Sequence, residues 1–237
     1  MRILPAVSEY DPFAADYDLW AAEMTEDVPF YVDLAREAAE PIVELAVGSG
    51  RVAIPIARET GKRVIGIDRS PAMLAAGRER AGGLPIEFRE SDFRDIGLEE
   101  PVELVICPFR ALMHAHSWAD KRRVFESAAA ALKRGGRFAF NVFVFSPFVA
   151  ARNHGELQQV DGAWQRIRHV PAENRIELER GRGDETYGVL SLSWLTKSEC
   201  EGLIDVAGLE VEALYGWFDR RPFDEDSLEL VYVTRKP

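Results

Sequence analysis

Between Pro41 and Phe145 the chain alternates short, nearly continuous apolar runs with longer stretches in which apolar residues recur every three or four positions. The runs are PIVELAV (41–47), RVIGI (63–67), PIEF (85–88), VELVIC (102–107) and RFAFNVFVF (137–145), each bounded by Gly, Pro or Asp. They read as five strands, and runs apolar on both faces belong in a parallel sheet covered on each side by helices. The intervening helices have readable ends. Ser70 is placed to cap a helix with Pro71 in its first position, running through Met73, Leu74 and Arg78. In DKRRVFESAAAALKRGG (120–136), Val124, Phe125, Ala128 and Leu132 share one face, and the helix is expected to stop at Gly135 and Gly136.

After residue 145 the pattern changes. WQRIRHV (164–170), NRIELER (174–180) and YGVLSLSW (187–194) are separated by the turn-like PAEN and GRGDE, which predicts a small antiparallel meander inserted after the fifth strand. Thr196 and Glu199 form a capping-box pattern that opens a helix ending at Gly208. LEVEALYGWF (209–218) and LELVYVTRK (228–236) then close the sheet as an antiparallel hairpin. The arginines of the meander, interleaved with acids, read as a solvated sheet face.

The 237 residues are 47% hydrophobic and 29% charged, enough to bury a large core and too apolar for disorder. With 29 Lys+Arg against 40 Asp+Glu, the net charge of −11 argues against nucleic acid or anionic lipid as partner and favours a small molecule. Cys107 and Cys200, the only cysteines, form no CxxC pair, so a reducing cytoplasm and no zinc or other metal site are expected. MRILPAVSEYDPF lacks the apolar run of a signal peptide. The longest apolar stretch, from Phe138, is broken by Asn141, Ser146 and Pro147, so no membrane span is expected.

The chemistry concentrates in VELAVGSGRVAIPIA (43–57), where a strand runs through a glycine turn into a helix. Gly48 and Gly50 let a ligand lie against the backbone while the helix N-terminus offers free N–H groups. Asp68, ending the next strand, is placed to accept both hydroxyls of a ribose. GSGRVA (48–53) also fits the GxGxxG/A fingerprint of NAD-binding folds, so an NAD-dependent oxidoreductase is one reading. Three features point elsewhere. Glu44 puts a carboxylate inside the first strand, a cost that a bound cation explains. Asp92 is an acceptor for an exocyclic amine, beside Phe93, whose ring suits a purine. Finally, the chain closes in a hairpin rather than a second βαβαβ half.

In ELAVGSGR (44–51), GIDRSPAML (66–74), ESDFRD (90–95), ELVICPFRALMH (103–114) and LKRGGRFAFNVF (132–143) the sequence resembles the class I S-adenosylmethionine-dependent methyltransferases, over roughly residues 10–145. The meander and YGWFDRRPFDEDSLELVYVTRK (215–236) are similar to the branch acting on small molecules, including glycine, sarcosine and amino-sugar N-methyltransferases. The resemblance implies an α/β, Rossmann-like fold with a seven-stranded, mostly parallel sheet, helices on both faces, a closing antiparallel hairpin and a small antiparallel β insertion after strand 5. The chain is expected to be one domain. Residues 1–40 would be a helical cap, 41–145 the cofactor core, 146–195 a lid, and 196–237 the closing helix and hairpin.

The activity so implied is methyl transfer from S-adenosylmethionine to nitrogen or oxygen of a small-molecule acceptor by direct displacement, leaving S-adenosylhomocysteine. A non-catalytic S-adenosylmethionine sensor is the other reading. The resemblance assigns the cofactor to Tyr17, Glu44, Ala46, Gly48, Gly50, Arg51, Asp68, Arg69, Met73, Asp92, Phe93 and Cys107. The acceptor falls to Tyr10, Trp20, Phe109, Arg110, Trp164 and Trp194, with Arg110 meeting a carboxylate or phosphate and His114 serving as base or substrate contact. The family has Gly where this chain has Ala46, which is expected to fit at negative φ. The insertion is expected to cap the chain's own site or, in a homodimer, to pair with a second copy.

Overall fold

The computed structural model describes residues 25–160 and 162–237. Tyr10, Tyr17 and Trp20 lie outside the described residues. Helix α1 (Val28–Glu37) is followed by β1 (Ile42–Leu45), α2 (Ala53–Thr60), β2 (Val64–Asp68), α3 (Pro71–Ala81), β3 (Ile86–Glu90) and β4 (Val102–Cys107). A 3₁₀ turn (Ala111–His114) leads to α4 (Trp118–Ala131) and β5 (Leu132–Phe143). The insertion holds α5 (Pro147–Asn153), β6 (Leu157–Val160), β7 (Ala163–Val170), β8 (Arg175–Arg182) and β9 (Glu185–Ser193), before α6 (Lys197–Val206), β10 (Glu210–Tyr215) and β11 (Glu229–Arg235).

The main sheet has the order β10-β11-β5-β4-β1-β2-β3. β1 to β5 are parallel, while β11 runs antiparallel to both β5 and β10. β1 sits between β2 and β4, pairing Ile42 with Val64 on one side and Leu104 on the other. The strand order reverses there, and the crevice beyond the carboxyl ends of the strands is where open α/β sheets bind ligands.

Alternation along the strands divides the core into two layers. Val43, Leu45, Phe138, Phe140 and Val142 face the layer that includes Phe125 and Leu203, whereas Ile42, Ala139 and Val231 face Phe30, Tyr31 and Ile56. In the first layer Phe125 meets Phe138 and Phe140 edge-on at 5.5 and 5.1 Å, and Phe140 stacks on Tyr232 at 5.1 Å. Truncating a buried Phe of this kind costs about 3–5 kcal/mol. The second layer also carries the polar side chains of Glu44 and Asn141, because positions 44 and 141 share a strand face with Ile42 and Ala139.

The expected helix ends hold at two places. Ser70 Oγ accepts from Met73 N at 3.1 Å, with Pro71 at the first helical position. Thr196 and Glu199 close the capping box, with the Glu199 carboxylate accepting from Thr196 N at 2.7 Å. The helix expected over 120–136 ends earlier, at Ala131, because Leu132 is already extended (φ −86, ψ 142) and pairs with Val102 of β4. α5 and β6 were not expected: their short, mostly exposed segments carry little periodicity.

The meander is a second sheet of order β6-β7-β8-β9. Arg166, Arg168 and Arg175 pair with Glu179, Glu177 and Glu173, as a solvated face would. This sheet is tied to the core through its last strand. Lys121 Nζ donates to Ser193 Oγ at 2.8 Å, His116 Nε2 lies 2.9 Å from Ser191 O, and Trp194 stacks on Phe145 at 3.9 Å.

Candidate active site

After Leu45 the chain turns through Ala46 to Gly50 before α2 begins. Gly48 and Gly50 have φ of 54° and 85°. A Cβ on Gly48 would come within 3.1 Å of Met73 Cε, the flexible end of that side chain, so the left-handed φ is the stronger reason for glycine there. Ala46 has φ 55°, which corrects the expectation of negative φ. The turn keeps the left-handed geometry of a glycine, and the methyl group bears strain there.

Asp68 fastens this turn to the next helix. One carboxylate oxygen accepts from Gly48 N at 2.8 Å and the other from Ser70 N at 2.8 Å. Burial pushes its pKa up, against the backbone N–H groups of Ser70, Gly48 and Arg69 and the nearby His114.

A cavity of about 400 Å³ opens beyond the strand ends. On its wall the structure brings together Ala46, Gly48, Asp68, Arg69, Met73, Phe93, Phe109 and His114. His116 also lies there, as do Arg94 and Asp120, which were not among the expected site residues. Arg94 shares the ESDFRD segment, but Asp120 is brought in only by the packing of α4.

Asp92 is not on that wall. Arg94 occupies its carboxylate, donating Nε to one oxygen at 2.9 Å and Nη2 to the other at 2.6 Å, while Arg69 Nε lies 3.7 Å away. Burial raises the Asp92 pKa, but the Arg94 bonds and the Arg69 charge outweigh it and hold the carboxyl below its ordinary range. Arg94 also pairs with Asp120, so the cation bridges the β3 loop and the first turn of α4.

Glu44, 3% exposed, has one oxygen with no hydrogen-bond partner among the described residues. Burial pushes its pKa well above the carboxylate range, against the Arg51 charge. Arg51 itself is bound to Asp27 through two bonds of 2.6 Å, with its guanidinium 4.3 Å from the Phe109 ring centroid. Cys107 is a buried thiol pushed up to about 12 by burial, next to the Glu44 charge, which makes it unreactive. Glu44, Gly50, Arg51 and Cys107 lie behind the cavity wall rather than on it.

Three acceptor residues expected from the sequence are placed elsewhere. Arg110 does not meet the cavity: it pairs with buried Glu229. Trp164 packs its ring over Gly181 and donates Nε1 to Gly183 O at 2.9 Å, within the insertion sheet. Trp194, 4% exposed, stacks on Phe145. Tryptophans in a sheet and its junction find apolar partners there, and sequence proximity to a lid does not aim them inward.

The strand order, with β11 antiparallel between β5 and β10, is not the 3-2-1-4-5-6 order of a dinucleotide fold. Together with a glycine turn after β1 and an acid at the end of the neighbouring β2, it is the plan of the Rossmann-like methyltransferase fold. Residues 42–136 match the family described as a methyltransferase domain, and the chain carries that domain on this fold. It is 29% identical to the dTDP-4-amino-2,3,4,6-tetradeoxy-D-glucose N,N-dimethyltransferase of Saccharopolyspora spinosa, over 88% of this chain and 90% of that one. It is 22% identical to the cypemycin N-terminal methyltransferase of a Streptomyces species, over 82% of each. The solved structure of the CcbJ methyltransferase from Streptomyces caelestis matches it with a TM-score of 0.83 at 24% identity, over 99% of both chains.

Proposed function

We propose that this chain transfers the methyl group of S-adenosylmethionine to a nitrogen of a small-molecule amine. The observation that carries this is the 2.8 Å bond between Gly48 N and Asp68, which sets a bare backbone and a carboxylate side by side on one cavity wall with Met73 and Phe93. The residues fit the cofactor on two further grounds. Gly48 presents a bare backbone beside Met73, and behind the wall Glu44 keeps a buried oxygen without a partner among the described residues. Asp68 would take the ribose hydroxyls and Phe93 would lie against the purine. Asp92, saturated by Arg94, would act through that arginine.

When bound, the cofactor supplies an electrophilic methyl on a sulfonium. The chain's own part is to orient the acceptor and exclude water, and orientation contributes about 7–11 kcal/mol in favourable cases. An amine arriving neutral needs no base. For a hydroxyl acceptor, His114 on the same wall would hold the proton, worth roughly 10²- to 10⁴-fold. The activities for which both relatives are named support nitrogen, and the net charge of −11 supports a small acceptor over nucleic acid in a cytoplasmic setting. In the same reading the chain is one domain, with residues 41–145 holding the cofactor, 146–195 as lid and 196–237 closing the sheet. Among the described residues no helix is long and apolar enough to cross a membrane.

The test has two stages. Calorimetry with S-adenosylhomocysteine and NAD reads the cofactor, and product formation over a panel of amino sugars, peptide amines and hydroxy compounds reads the acceptor. Binding of NAD alone would overturn the assignment. S-adenosylhomocysteine binding with no product across the panel would favour a sensor.

A further inference from the structure

Phe109 and Arg110 are consecutive non-glycine residues in the left-handed region, with φ of 56° and 62°. Such a pair persists only where the surroundings over-determine it. The wall residue Phe109 is backed by the Arg51 guanidinium at 4.3 Å, itself fixed by Asp27. Arg110 points away from the cavity, to buried Glu229, with its guanidinium 5.6 Å from the Phe143 ring centroid and 42% of its side chain exposed. Its Nε donates to Glu229 Oε1 at 2.8 Å, and its Nη2 donates to the same oxygen.

The other Glu229 oxygen accepts from Asn141 Nδ2 at 2.9 Å. Asn141 Oδ1 in turn accepts from Tyr31 OH at 3.0 Å and from the Arg110 backbone N at 3.5 Å. Glu229, Asn141 and Tyr31 are 1%, 2% and 0% exposed, and none of them lines the cavity. A buried, fully paired carboxylate that touches no ligand surface yet grips both the side chain and, through Asn141, the backbone of a wall turn is placed to set geometry. Every bond in the chain is directional. Asn141 is oriented by Glu229, which takes its amide, leaving its carbonyl for Tyr31 and Arg110.

We propose that Glu229 is a positioning residue for the transfer site: through Arg110 and Asn141 it holds the Phe109–Arg110 turn, and thereby the Phe109 ring, in place on the cavity wall. The proposal rests on the methyl-transfer reading only for its kinetic consequence. Placement of the ring is a property of the chain itself. Glu229→Gln keeps the volume but sets an amide against the Asn141 amide or the Arg110 guanidinium, so one of the two grips is lost.

The experiment incorporates 4-fluorophenylalanine at position 109 and compares parent, Glu229→Gln and Asn141→Ala by ¹⁹F NMR. The parent is expected to give one narrow line and both variants a second or exchange-broadened line. With an acceptor in hand, Glu229→Gln is expected to lower kcat/KM for the acceptor roughly tenfold while the S-adenosylhomocysteine dissociation constant stays within about twofold. In a double-mutant cycle Phe109→Leu and Glu229→Gln are expected to be non-additive, since one acts through the other. An unchanged ¹⁹F line in a folded Glu229→Gln protein overturns the proposal, as do additive effects in the cycle. Failure of the parent to bind S-adenosylhomocysteine would instead refute the methyl-transfer reading and leave the ¹⁹F test in force.

Discussion

Replacing Asp68 by Ala perturbs two things at once, and the structure allows them to be separated. In the free protein the carboxylate accepts from Gly48 N and Ser70 N, each at 2.8 Å. Hydrogen bonds to a charged group contribute about 1.5–3 kcal/mol each, but the raised pKa shows that burial already offsets part of that gain. A stability loss near 2 kcal/mol is therefore expected, below the roughly 3–6 kcal/mol that two such bonds would contribute without the burial penalty. For a chain of this length that lowers Tm by about 4–8 °C. Loss of the ribose contact adds about 1.5–3 kcal/mol to the cofactor's binding free energy, roughly a ten- to hundredfold weaker Kd. Ser70→Ala serves as the control for damage to the fold. It removes the cap bond to Met73 N at a cost of about 1 kcal/mol without touching the ribose acid. Calorimetry with S-adenosylhomocysteine and its 2′,3′-dideoxy analogue decides the matter. The affinity lost in Asp68→Ala should appear for the natural ligand and largely vanish for the analogue, with Ser70→Ala unaffected for both. Equal losses for the two ligands would refute the ribose assignment.

Other outcomes follow from single residues. Ala46→Gly relieves a left-handed alanine and is expected to stabilise by about 1 kcal/mol, a rise of about 2–4 °C in Tm by thermal denaturation. Glu44 has a raised folded-state pKa, so its contribution to stability is fully present below the unfolded value of about 4.3 and is lost as pH rises through the folded value. Glu44→Gln should therefore melt higher than the parent at pH 7–8 and lose that advantage towards pH ~4.3. Asp92 and Asp120 have depressed values, so their contribution is present above the ordinary value of about 3.9 and disappears as pH falls through the folded values. Arg94→Gln should cost Tm at neutral pH and nothing in strong acid, as a pH series of melting curves will show.

The sheet was legible because its strands are punctuated: five apolar runs each ended in Gly, Pro or Asp, and the closing hairpin and capping box are local patterns. What escaped was set by partners far along the chain. Leu132 leaves the helix because Val102 pairs with it, a contact with no trace in the alanine-rich run before it. The site divides in the same way. Gly48, Asp68, Met73 and Phe93 sit on segments whose backbone geometry aims them at the switch point, and they arrive together. Arg110, Trp164 and Trp194 depend on which neighbour claims the side chain, and Glu229, Gly181 and Phe145 claim them. Arg94 and Asp120 were missed because an ion pair across 26 positions has no local signature.

The position of β11 in the sheet has a further meaning for how the molecule comes into being. Among the described residues, all those on the cavity wall lie between Ala46 and Asp120 and are synthesised before Glu229. During translation the glycine turn and Asp68 emerge with β1, β2 and β4 ready to pair, so the donor half of the site assembles early. On the proposed role of Glu229, Phe109 would wait for a strand that slots between β5 and β10 only after both exist. In that reading the acceptor half would be finished last, and the wall against which chemistry would occur would become rigid only when the whole sheet has closed.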